Sequence, residues 1–325
     1  MNRIIFHHQL VNSPKYRFQM TLPKKVSISD WTHNNKKLAA PKLITFDAYN
    51  TLYCSTIPVI EQYSLIASKY NIIEDSNELV KRFSPIFKRL TTKYPNYGKY
   101  SNITADQWWA YLITELFQPH SVSQEMISEI LRRFKTNKSY TAYPDVIEFI
   151  KSIKLKYPNA IIGIVSNTDP AVYDLLKSLE LFEFFTPYTY FSYDLDLSKP
   201  DIKIFNYVIE DVLKRNPGLI NGTVTKENFL KDCWHIGDEM KKDMLAAEKA
   251  GWNGILVDRL DRNGFLDSIS SRSDMTEHDL QLDKIDQHAK QIWEVCRDRN
   301  EFVQLNDRTF VVPNIRVVKS MFLSE

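Results

Sequence analysis

Cysteine, glycine and long apolar runs are all scarce in this sequence. The three cysteines, Cys54, Cys233 and Cys296, are odd in number and far apart, so they supply neither a disulfide framework nor a paired-cysteine metal site. Glycine occurs 8 times in 325 residues, which fits a helix-rich chain. No apolar run approaches the roughly 18 residues that a membrane-spanning helix needs. These absences predict a protein of a reducing compartment, the cytoplasm or the nucleus, without a membrane partner.

An excess of one charge is lacking as well. Lysine and arginine number 42 against 40 aspartates and glutamates, so the formal net charge is +2. Because dedicated nucleic-acid binders usually carry a strong basic excess, no nucleic-acid partner is predicted. The apolar fraction of 43% is enough for one large domain or for two smaller domains, each with its own core.

The first forty residues differ from the rest in charge pattern. Residues 1–40 contain one acid, Asp30, among seven basic residues. An acid-poor, basic arm of this kind is typical either of a loosely packed extension or of a mitochondrial targeting segment. Both interpretations are compatible with the sequence. The basic residues are Arg3, Lys15, Arg17, Lys24, Lys25, Lys36 and Lys37.

A short apolar run at 42–46 ends abruptly in Asp47. The run is too short for a helix and is rich in β-branched and aromatic residues, so it predicts a buried strand. Asp47 then lies at the carboxyl end of that strand, where open α/β sheets bind their ligands. A carboxylate at such a point can bind a cation, accept a proton or attack an electrophile, although turn formation alone is also a common use of aspartate.

The region 53–142 has the spacing of helices. Apolar residues recur there every three or four positions, and no strand pattern lies between the helical segments. Thr104 and Ser123 each precede a segment and are predicted N-caps. About ninety residues of helix after one strand indicate an inserted helical unit, because a normal strand-to-helix loop is far shorter. The predicted helices are 57–70, 78–91, 105–117 and 124–134.

From residue 143 onward, strands and helices alternate. This alternation predicts a mostly parallel sheet covered by helices on both faces, which is an α/β fold. The polar segment 258–308 contains one predicted helix, at 285–296, and a last strand and helix follow at 310–312 and 315–322. The remaining predicted strands are 160–165, 188–191, 233–236 and 254–257.

Polar side chains follow three of the predicted strands, and a lysine opens the helix between the second and third of these strands. The parallel sheet would bring all of them to one edge. Asp47 and Asp238 can then hold Mg²⁺ through hard oxygen ligands, and Asp243 can join them directly or through water. The hydroxyl of Ser166 and the charge of Lys199 can bind a phosphate group. This set is what nucleophilic attack by a carboxylate on a phosphate ester requires.

These segments together resemble the four motifs of the haloacid dehalogenase-like (HAD) hydrolase superfamily, in the right order and context. The resemblance implies a Rossmann-like core formed by 41–52 and 143–325 and a helical cap at 53–142. It is strongest for a eukaryotic subgroup of the superfamily whose members mostly lack an assigned substrate. The matching segments are Asp47-Ala48-Tyr49-Asn50-Thr51, Ser166-Asn167, Lys199-Pro200 and Gly237-Asp238 through Asp243.

The resemblance also implies roles for single residues. It makes Asp47 the catalytic nucleophile, Lys199 a catalytic and phosphate-binding residue, and Ser166 and Asn167 further phosphate ligands. The implied substrate is a small phosphorylated molecule.

Beside the implied Mg²⁺ site, the sequence departs from the usual pattern of the superfamily at one position, Tyr49. The resemblance assigns the metal to the carboxylates of Asp47, Asp238 and Asp243 and to the backbone carbonyl of Tyr49. Phosphatases of the superfamily usually carry a second aspartate at the position of Tyr49, where it acts as general acid and base. A phenol with a pKa near 10 is a poor proton donor and acceptor for this purpose at neutral pH. Tyrosine at this position resembles the 2-haloacid dehalogenases, which need no metal, whereas the fourth motif resembles that of phosphatases.

We therefore predict a Mg²⁺-dependent phosphatase of low or selective activity that works through an aspartyl-phosphate intermediate, with Tyr49 in a catalytic position. One alternative is a catalytically weak member of the superfamily that binds a ligand or a partner through its cap. A second alternative is a dehalogenase-type hydrolase.

Overall fold

A computed structural model describes residues 23–220, 224–266 and 289–323. Within these ranges it contains one large sheet, one small sheet and helices that cover the large sheet. The strands are β1 (Lys24–Ser27), β2 (Leu43–Phe46), β3 (Tyr53–Ser55), β4 (Tyr140–Ala142), β5 (Ile161–Ser166), β6 (Thr189–Phe191), β7 (Cys233–Gly237), β8 (Asn253–Val257), β9 (Glu301–Gln304) and β10 (Thr309–Val312).

The large sheet has eight strands in the order β1-β9-β10-β8-β7-β2-β5-β6. Neighbouring strands are parallel except around β9, which is antiparallel to both β1 and β10. The prediction of an α/β fold with a mostly parallel sheet is confirmed. The central strand β2 is buried along its whole length, which explains its continuous apolar sequence.

Helices cover both faces of this sheet. Ile44 and Phe46 of β2 face one apolar core, whereas Leu43 faces the other. This division follows from the strand geometry, because successive side chains point to opposite faces. The core helices, in chain order, are Ile28–His33, Pro144–Lys156, Ala171–Ser178, Phe182–Phe185, Ser192–Leu195, Lys203–Arg215, Lys226–Leu230, Leu245–Lys249, Ala289–Cys296 and Ile315–Leu323.

The inserted segment forms a helical cap with an apolar core of its own. Thr104 and Ser123 accept hydrogen bonds from backbone N–H groups in the first turns of their helices, as predicted. The strands β3 and β4 pair antiparallel where the cap joins the core. These two strands were not predicted, because each has only three residues and mixes polar with apolar side chains. The cap helices are Val59–Ser68, Ser76–Lys93, Ala105–Leu116 and Gln124–Arg133.

The amino-terminal region corrects one expectation. Residues 24–27 are not loosely packed, since β1 pairs with β9 at the edge of the large sheet. Trp31 in the following helix is buried, and its ring lies 5.3 Å from that of Phe302. A short strand that begins Lys24-Lys25 is typical of a sheet edge, and its partner lies at the other end of the chain. The rest of the predicted arm, residues 1–22, lies outside the described residues.

The carboxyl-terminal region extends the same edge of the sheet. The predicted last strand and helix are confirmed as β10 and Ile315–Leu323. The predicted helix 285–296 is present from Ala289 to Cys296, and its first four residues lie outside the described residues. The strand β9 was not predicted, because its four residues mix charged, polar and apolar side chains. No described helix is both long and apolar enough to cross a membrane.

Candidate active site

The predicted site lies where the chain changes direction across the sheet. From β2 the chain continues to β5 and β6 on one side, and it then returns to build β7 and β8 on the other side. The loops that follow β2, β5 and β7 therefore diverge around one crevice at the carboxyl edge of the sheet. Asp47 and Asp238 lie in the first and last of these loops, and Ser166 is the final residue of β5. Asp47 is held at the mouth of the crevice by a 2.9 Å hydrogen bond from its backbone N–H to the carbonyl of Ile236.

Lys199 joins two of the predicted carboxylates. Its Nζ lies 2.6 Å from Oδ1 of Asp47 and 2.5 Å from Oδ1 of Asp243. The lysine and Asp243 side chains are each 1% exposed, and that of Asp47 is 15% exposed. A lysine buried this deeply requires charge partners, and these two carboxylates supply them. The prediction that Lys199 opens the next helix is wrong by four residues, because that helix begins at Lys203 and Lys199 lies in the loop before it.

Three carboxylates converge at this site. Oxygen atoms of Asp47, Asp238 and Asp243 all lie within 4.8 Å of one another. The Asp238 carboxylate has a cationic neighbour in Arg262, but the distance from Nη1 to Oδ2 is 3.9 Å, too long for a hydrogen bond. A hard divalent cation prefers such clustered carboxylate oxygens. The residues present therefore fit Mg²⁺.

The pKa values follow from burial and mutual repulsion. Burial raises the pKa of Asp47 to about 6, although Lys199 opposes this effect. Burial also raises the pKa of Asp238 well above its usual value, and the nearby charges of Asp47 and Asp243 add to the shift. A bound cation would act in the opposite direction on both groups, because it favours the charged form of a carboxylate.

Lys199 and Asp243 are held in their charged forms. Burial alone would lower the pKa of Lys199, but the charges of Asp243 and Asp47 outweigh burial and raise it. Burial alone would raise the pKa of Asp243, but Lys199 and His235 outweigh it and the pKa falls below its usual range. The pair is therefore an ammonium and a carboxylate at neutral pH.

Asp243 has more protein partners than the other two acids. Its Oδ2 accepts a 2.8 Å hydrogen bond from the backbone N–H of Glu239. Its Oδ1 is shared between Lys199 and Nε2 of His235, which is 3.2 Å away. A Cβ atom at Gly237 would overlap this carboxylate, so the strand must end in glycine here. A π-helical turn, Met240–Met244, carries Asp243 into this position.

The loop after β5 is tied to the loop that carries Lys199. The side-chain amide of Asn167 donates to the carbonyl of Lys199 at 2.7 Å, and its carbonyl oxygen accepts from the Lys199 N–H at 2.9 Å. Ser166 is buried, and its hydroxyl lowers the pKa of Asp47, which favours the charged form of that acid. Asn167 therefore supports Lys199 through its backbone, whereas Ser166 lies beside Asp47.

Comparison with known proteins identifies the family of this chain. The family model of the haloacid dehalogenase-like hydrolases matches residues 41–251, which is most of the chain. The chain belongs to this family. The match ends before β9 and β10, so the edge of the sheet formed by β1, β9 and β10 lies outside the family model.

Two relatives and one solved structure extend the comparison of this HAD-like hydrolase. The Saccharomyces cerevisiae protein named uncharacterized protein YMR130W is 45% identical over 303 residues, which cover 93% of this chain and 100% of the relative. The protein C7D4.05 of Schizosaccharomyces pombe is 34% identical over 226 residues, which cover 69% of this chain and 93% of the relative. The structure of L-2-haloacid dehalogenase from Xanthobacter autotrophicus has a TM-score of 0.51 at 13% identity and covers 86% of this chain and 97% of that one. At this identity the likeness concerns the fold alone.

Tyr49 of this HAD-like hydrolase directs its side chain toward the join with the cap. Its hydroxyl lies 3.0 Å from Oγ of Ser55 in β3. Its ring lies 6.1 Å from that of Tyr53 and 6.0 Å from that of Tyr140. The phenol therefore packs against the small sheet. The use of the Tyr49 carbonyl as a metal ligand stays a prediction.

The cap of the HAD-like hydrolase touches the core through polar groups. Nε1 of Trp109 donates to Oδ2 of Asp169, just after the second motif, at 2.8 Å. Lys99 donates to the carbonyl of Tyr193 at 2.6 Å and to Oδ1 of Asp196 at 2.8 Å. These contacts place the cap loop at Asn96–Gly98 beside the chain segment that leads to Lys199.

Sequence reasoning missed two side chains of this site. His235 contacts Asp243 from a buried strand, and Arg262 approaches Asp238 from beyond the part of the chain that the family model matches. His235 lies eight residues before Asp243 in the chain, and its strand position next to Gly237-Asp238 was the available signal. Arg262 had no such signal, because a turn built on Asp258 brings it back to the site.

Proposed function

We propose that the protein is a Mg²⁺-dependent HAD-type phosphatase that acts with low or selective activity on a small phosphorylated compound. The observation that carries this proposal is the position of Lys199, whose ammonium bridges Asp47 and Asp243 at 2.6 and 2.5 Å beside Asp238. In this arrangement the carboxylate of Asp47 is the one that faces the opening of the site. It is the most exposed of the three bridged side chains, at 15%.

The reaction then proceeds in two displacements at phosphorus. In the first, a carboxylate oxygen of Asp47 attacks the phosphorus atom, the ester P–O bond breaks, and the leaving group departs with the bonding electron pair. In the second, water attacks the phosphorus of the aspartyl phosphate, the bond to Asp47 breaks, and inorganic phosphate leaves. Lys199 and Ser166, which lie beside Asp47, would hold the phosphoryl oxygens during both steps.

The metal would be held by the carboxylates of Asp47 and Asp238, with the Tyr49 carbonyl and Asp243 as further ligands. When bound, Mg²⁺ supplies positive charge that offsets the phosphate and carboxylate charges. Without it, the described site has three carboxylates against one lysine in direct contact. That imbalance supports a requirement for a cation.

Tyr49 supports the selective part of the proposal. HAD phosphatases usually have an aspartate there to protonate the leaving group, and here the phenol is hydrogen-bonded to Ser55 instead. Leaving groups that depart without a proton should therefore be preferred, such as those of acyl and aryl phosphates. General acid–base catalysis is worth roughly a hundred- to ten-thousandfold, so the preference should be large enough to measure.

The test is a substrate panel that contains acetyl phosphate, p-nitrophenyl phosphate and glycerol 2-phosphate, each with Mg²⁺ and with a chelator. Wild type should turn over the first two compounds only with Mg²⁺, and Asp47→Asn should be inactive. Asp174→Asn, a change in an exposed helix residue away from the site, is the matched control and should keep full activity. Absence of Mg²⁺-dependent turnover in wild type across a broad panel would overturn the proposal.

Two outcomes would favour other functions. Binding of phosphorylated compounds without turnover would indicate a ligand-binding member of the family, which the absence of an acid at position 49 also favours. Turnover of a 2-haloacid that is insensitive to chelator would indicate a dehalogenase, the activity named for the structure of similar fold. Both tests use the same Asp47→Asn variant as a control.

The compartment is also part of the proposal. All three cysteines are free and buried, which fits a reducing compartment such as the cytoplasm or the nucleus. A mitochondrial destination is the alternative. Microscopy of the full chain with a carboxyl-terminal tag would distinguish these sites.

A further inference from the structure

His235 lies directly beneath the charged site and is completely buried. Both of its ring nitrogens have a polar neighbour. Nδ1 lies 2.8 Å from Oγ1 of Thr45, and Nε2 lies 3.2 Å from Oδ1 of Asp243. The ring of Phe205 packs against the imidazole at 5.1 Å and closes off its remaining side. The imidazole thus has a defined partner at each polar atom.

The partners determine the direction of these hydrogen bonds. Asp243 is a charged carboxylate and can only accept, so Nε2 must carry the proton. Nδ1 of the neutral ring then accepts from the Thr45 hydroxyl. The chain of donors therefore runs from Thr45 through His235 to Asp243.

Strand pairing explains why this chain ends at the site. Thr45 of β2 is the register partner of His235 of β7, so their side chains are neighbours on one face of the sheet. Thr45 lies two residues before Asp47, and His235 lies two residues before Gly237. The same two strands thus carry the support and the chemistry. The Asp243 carboxylate closes the connection through Lys199, which reaches back to Asp47.

We propose that His235 is a positioning residue that orients Asp243, and through it Lys199, against the nucleophile Asp47. Lys199 and His235 share one oxygen of Asp243, and the Glu239 N–H holds the other. Loss of the His235 donor leaves the carboxylate held by a single backbone group and by a lysine that must also hold Asp47. The inference rests on the proposed phosphatase function, but the hydrogen bonds can be tested without turnover.

The kinetic test compares His235→Leu and His235→Gln with wild type on p-nitrophenyl phosphate in Mg²⁺. Partners that orient a first shell of ligands typically contribute about 10- to 100-fold, so His235→Leu should lower kcat by about that factor with little change in KM. Glutamine keeps an N–H donor, and His235→Gln should recover most of the lost kcat. Ile255→Val on the neighbouring strand β8, a fully buried apolar position, is the packing control and should leave kcat unchanged.

Thr45 supplies a second pair of variants. Thr45→Ser keeps the hydroxyl that donates to Nδ1, whereas Thr45→Val has nearly the same shape without it. We expect Thr45→Val to lower kcat and Thr45→Ser to retain it. If His235→Leu does not fold, this pair still tests the same chain of hydrogen bonds.

A spectroscopic test is independent of activity. In long-range ¹H–¹⁵N spectra of wild type at pH 7, His235 should be the neutral tautomer with its proton on Nε2. Asp243→Asn should change the Nε2 signal. The isosteric change Asn167→Asp is not a suitable control, because Asn167 contacts Lys199. Asp174→Asn should leave the His235 signals unchanged.

The outcomes separate the inference from the proposed function. A proton on Nδ1, or His235→Leu with kcat within about twofold of wild type, would overturn the positioning role, since such a small change lies below that of supporting partners. Absence of turnover in wild type together with the Nε2 tautomer would overturn the phosphatase proposal alone. In that case orthovanadate binding, measured by calorimetry, would replace kcat, and equal affinity in wild type and His235→Leu would overturn the inference.

Discussion

The core and the cap hold their charged groups in opposite ways. In the core, Lys199 and Asp243 are each 1% exposed and their contact is set by the sheet on which they lie. At the boundary with the cap, the ion pair of Lys99 with Asp196 has side chains that are 28% and 44% exposed. Buried charges cannot separate without a large desolvation cost, whereas exposed pairs separate readily in water. Burial therefore fixes the geometry of the core charges, whereas the exposed pair at the boundary with the cap costs little to separate.

In the cap loop, packing within the cap and contact with the core have different roles. Asn96, Tyr97 and Gly98 all have left-handed backbone conformations, which is costly for the two residues that are not glycine. A side chain at Gly98 would overlap Ile103, and the Tyr97 ring is stacked 6.0 Å from that of Trp109. Packing within the cap thus maintains the loop shape, while Lys99 beside it attaches the loop to the core.

Removal of the Lys199 ammonium, the central charge of the core site, should affect the protein more than any other change. Lys199→Met should abolish activity and lower the free energy of unfolding by about 3 to 5 kcal/mol, because it leaves buried carboxylates without a partner. Lys42→Met removes a half-exposed lysine from its 3.2 Å pair with Asp232 and is the matched control. Urea unfolding should show a loss below about 1 kcal/mol for the control.

The pH dependence of that loss has a definite sign. The pKa of Asp243 is lowered in the folded protein, so its contribution is present above its unfolded pKa and is lost as the pH falls. The difference between wild type and Lys199→Met should thus be complete at pH 7, should stay so down to about pH 4, and should shrink at about pH 3. An equal difference at pH 7 and at about pH 3 would show that lost packing, rather than charge, causes the effect.

Metal binding offers the next largest effect. Mg²⁺ at a hundredfold excess over its Kd should stabilise wild type by about 2.7 kcal/mol, because the ion binds only the folded site. Asp238→Asn should gain much less, since it removes one of the three clustered carboxylates. Thermal unfolding with Mg²⁺ and with chelator measures both gains. An equal gain in the two proteins would place the ion elsewhere.

Tyr49 lies between the two regions and tests leaving-group chemistry. Tyr49→Asp should raise kcat/KM for glycerol 2-phosphate relative to p-nitrophenyl phosphate by about tenfold or more, since it introduces an acid two residues from Asp47. Tyr49→Phe keeps the ring contacts with Tyr53 and Tyr140 and should leave that ratio unchanged. A change of the same size for both substrates would argue against the role of position 49 in protonation.

The smallest expected effect belongs to the cap contact. Lys99→Met should raise KM by about threefold at low salt, with kcat unchanged, because exposed ion pairs contribute under about 1 kcal/mol. The effect should fade in 0.5 M NaCl, where such pairs are screened. Lys81→Met, which breaks a pair with Glu78 inside one cap helix, should change neither constant. A loss of kcat in Lys99→Met would mean that this contact also shapes the core.

Local patterns predicted the architecture well. The parallel strands and the four cap helices appear where spacing and composition placed them. The strands β1, β3, β4 and β9 escaped prediction because they are short and also mix polar and apolar residues, unlike the mostly apolar runs of β2 and β10. Such short strands owe their existence to a partner that is distant in the chain, and single-sequence patterns carry no information about that partner.

The site also has features that the local sequence predicts and contacts that only the fold determines. The sequence alone determined that Asp47, Ser166, Asp238 and a lysine follow or connect buried strands, because hydrophobic runs and turn residues are local properties. Only the tertiary structure decided that Lys199 bridges Asp47 and Asp243, that His235 supports Asp243, and that Tyr49 turns to Ser55. These contacts depend on strand register and on packing between distant segments, which no local pattern encodes.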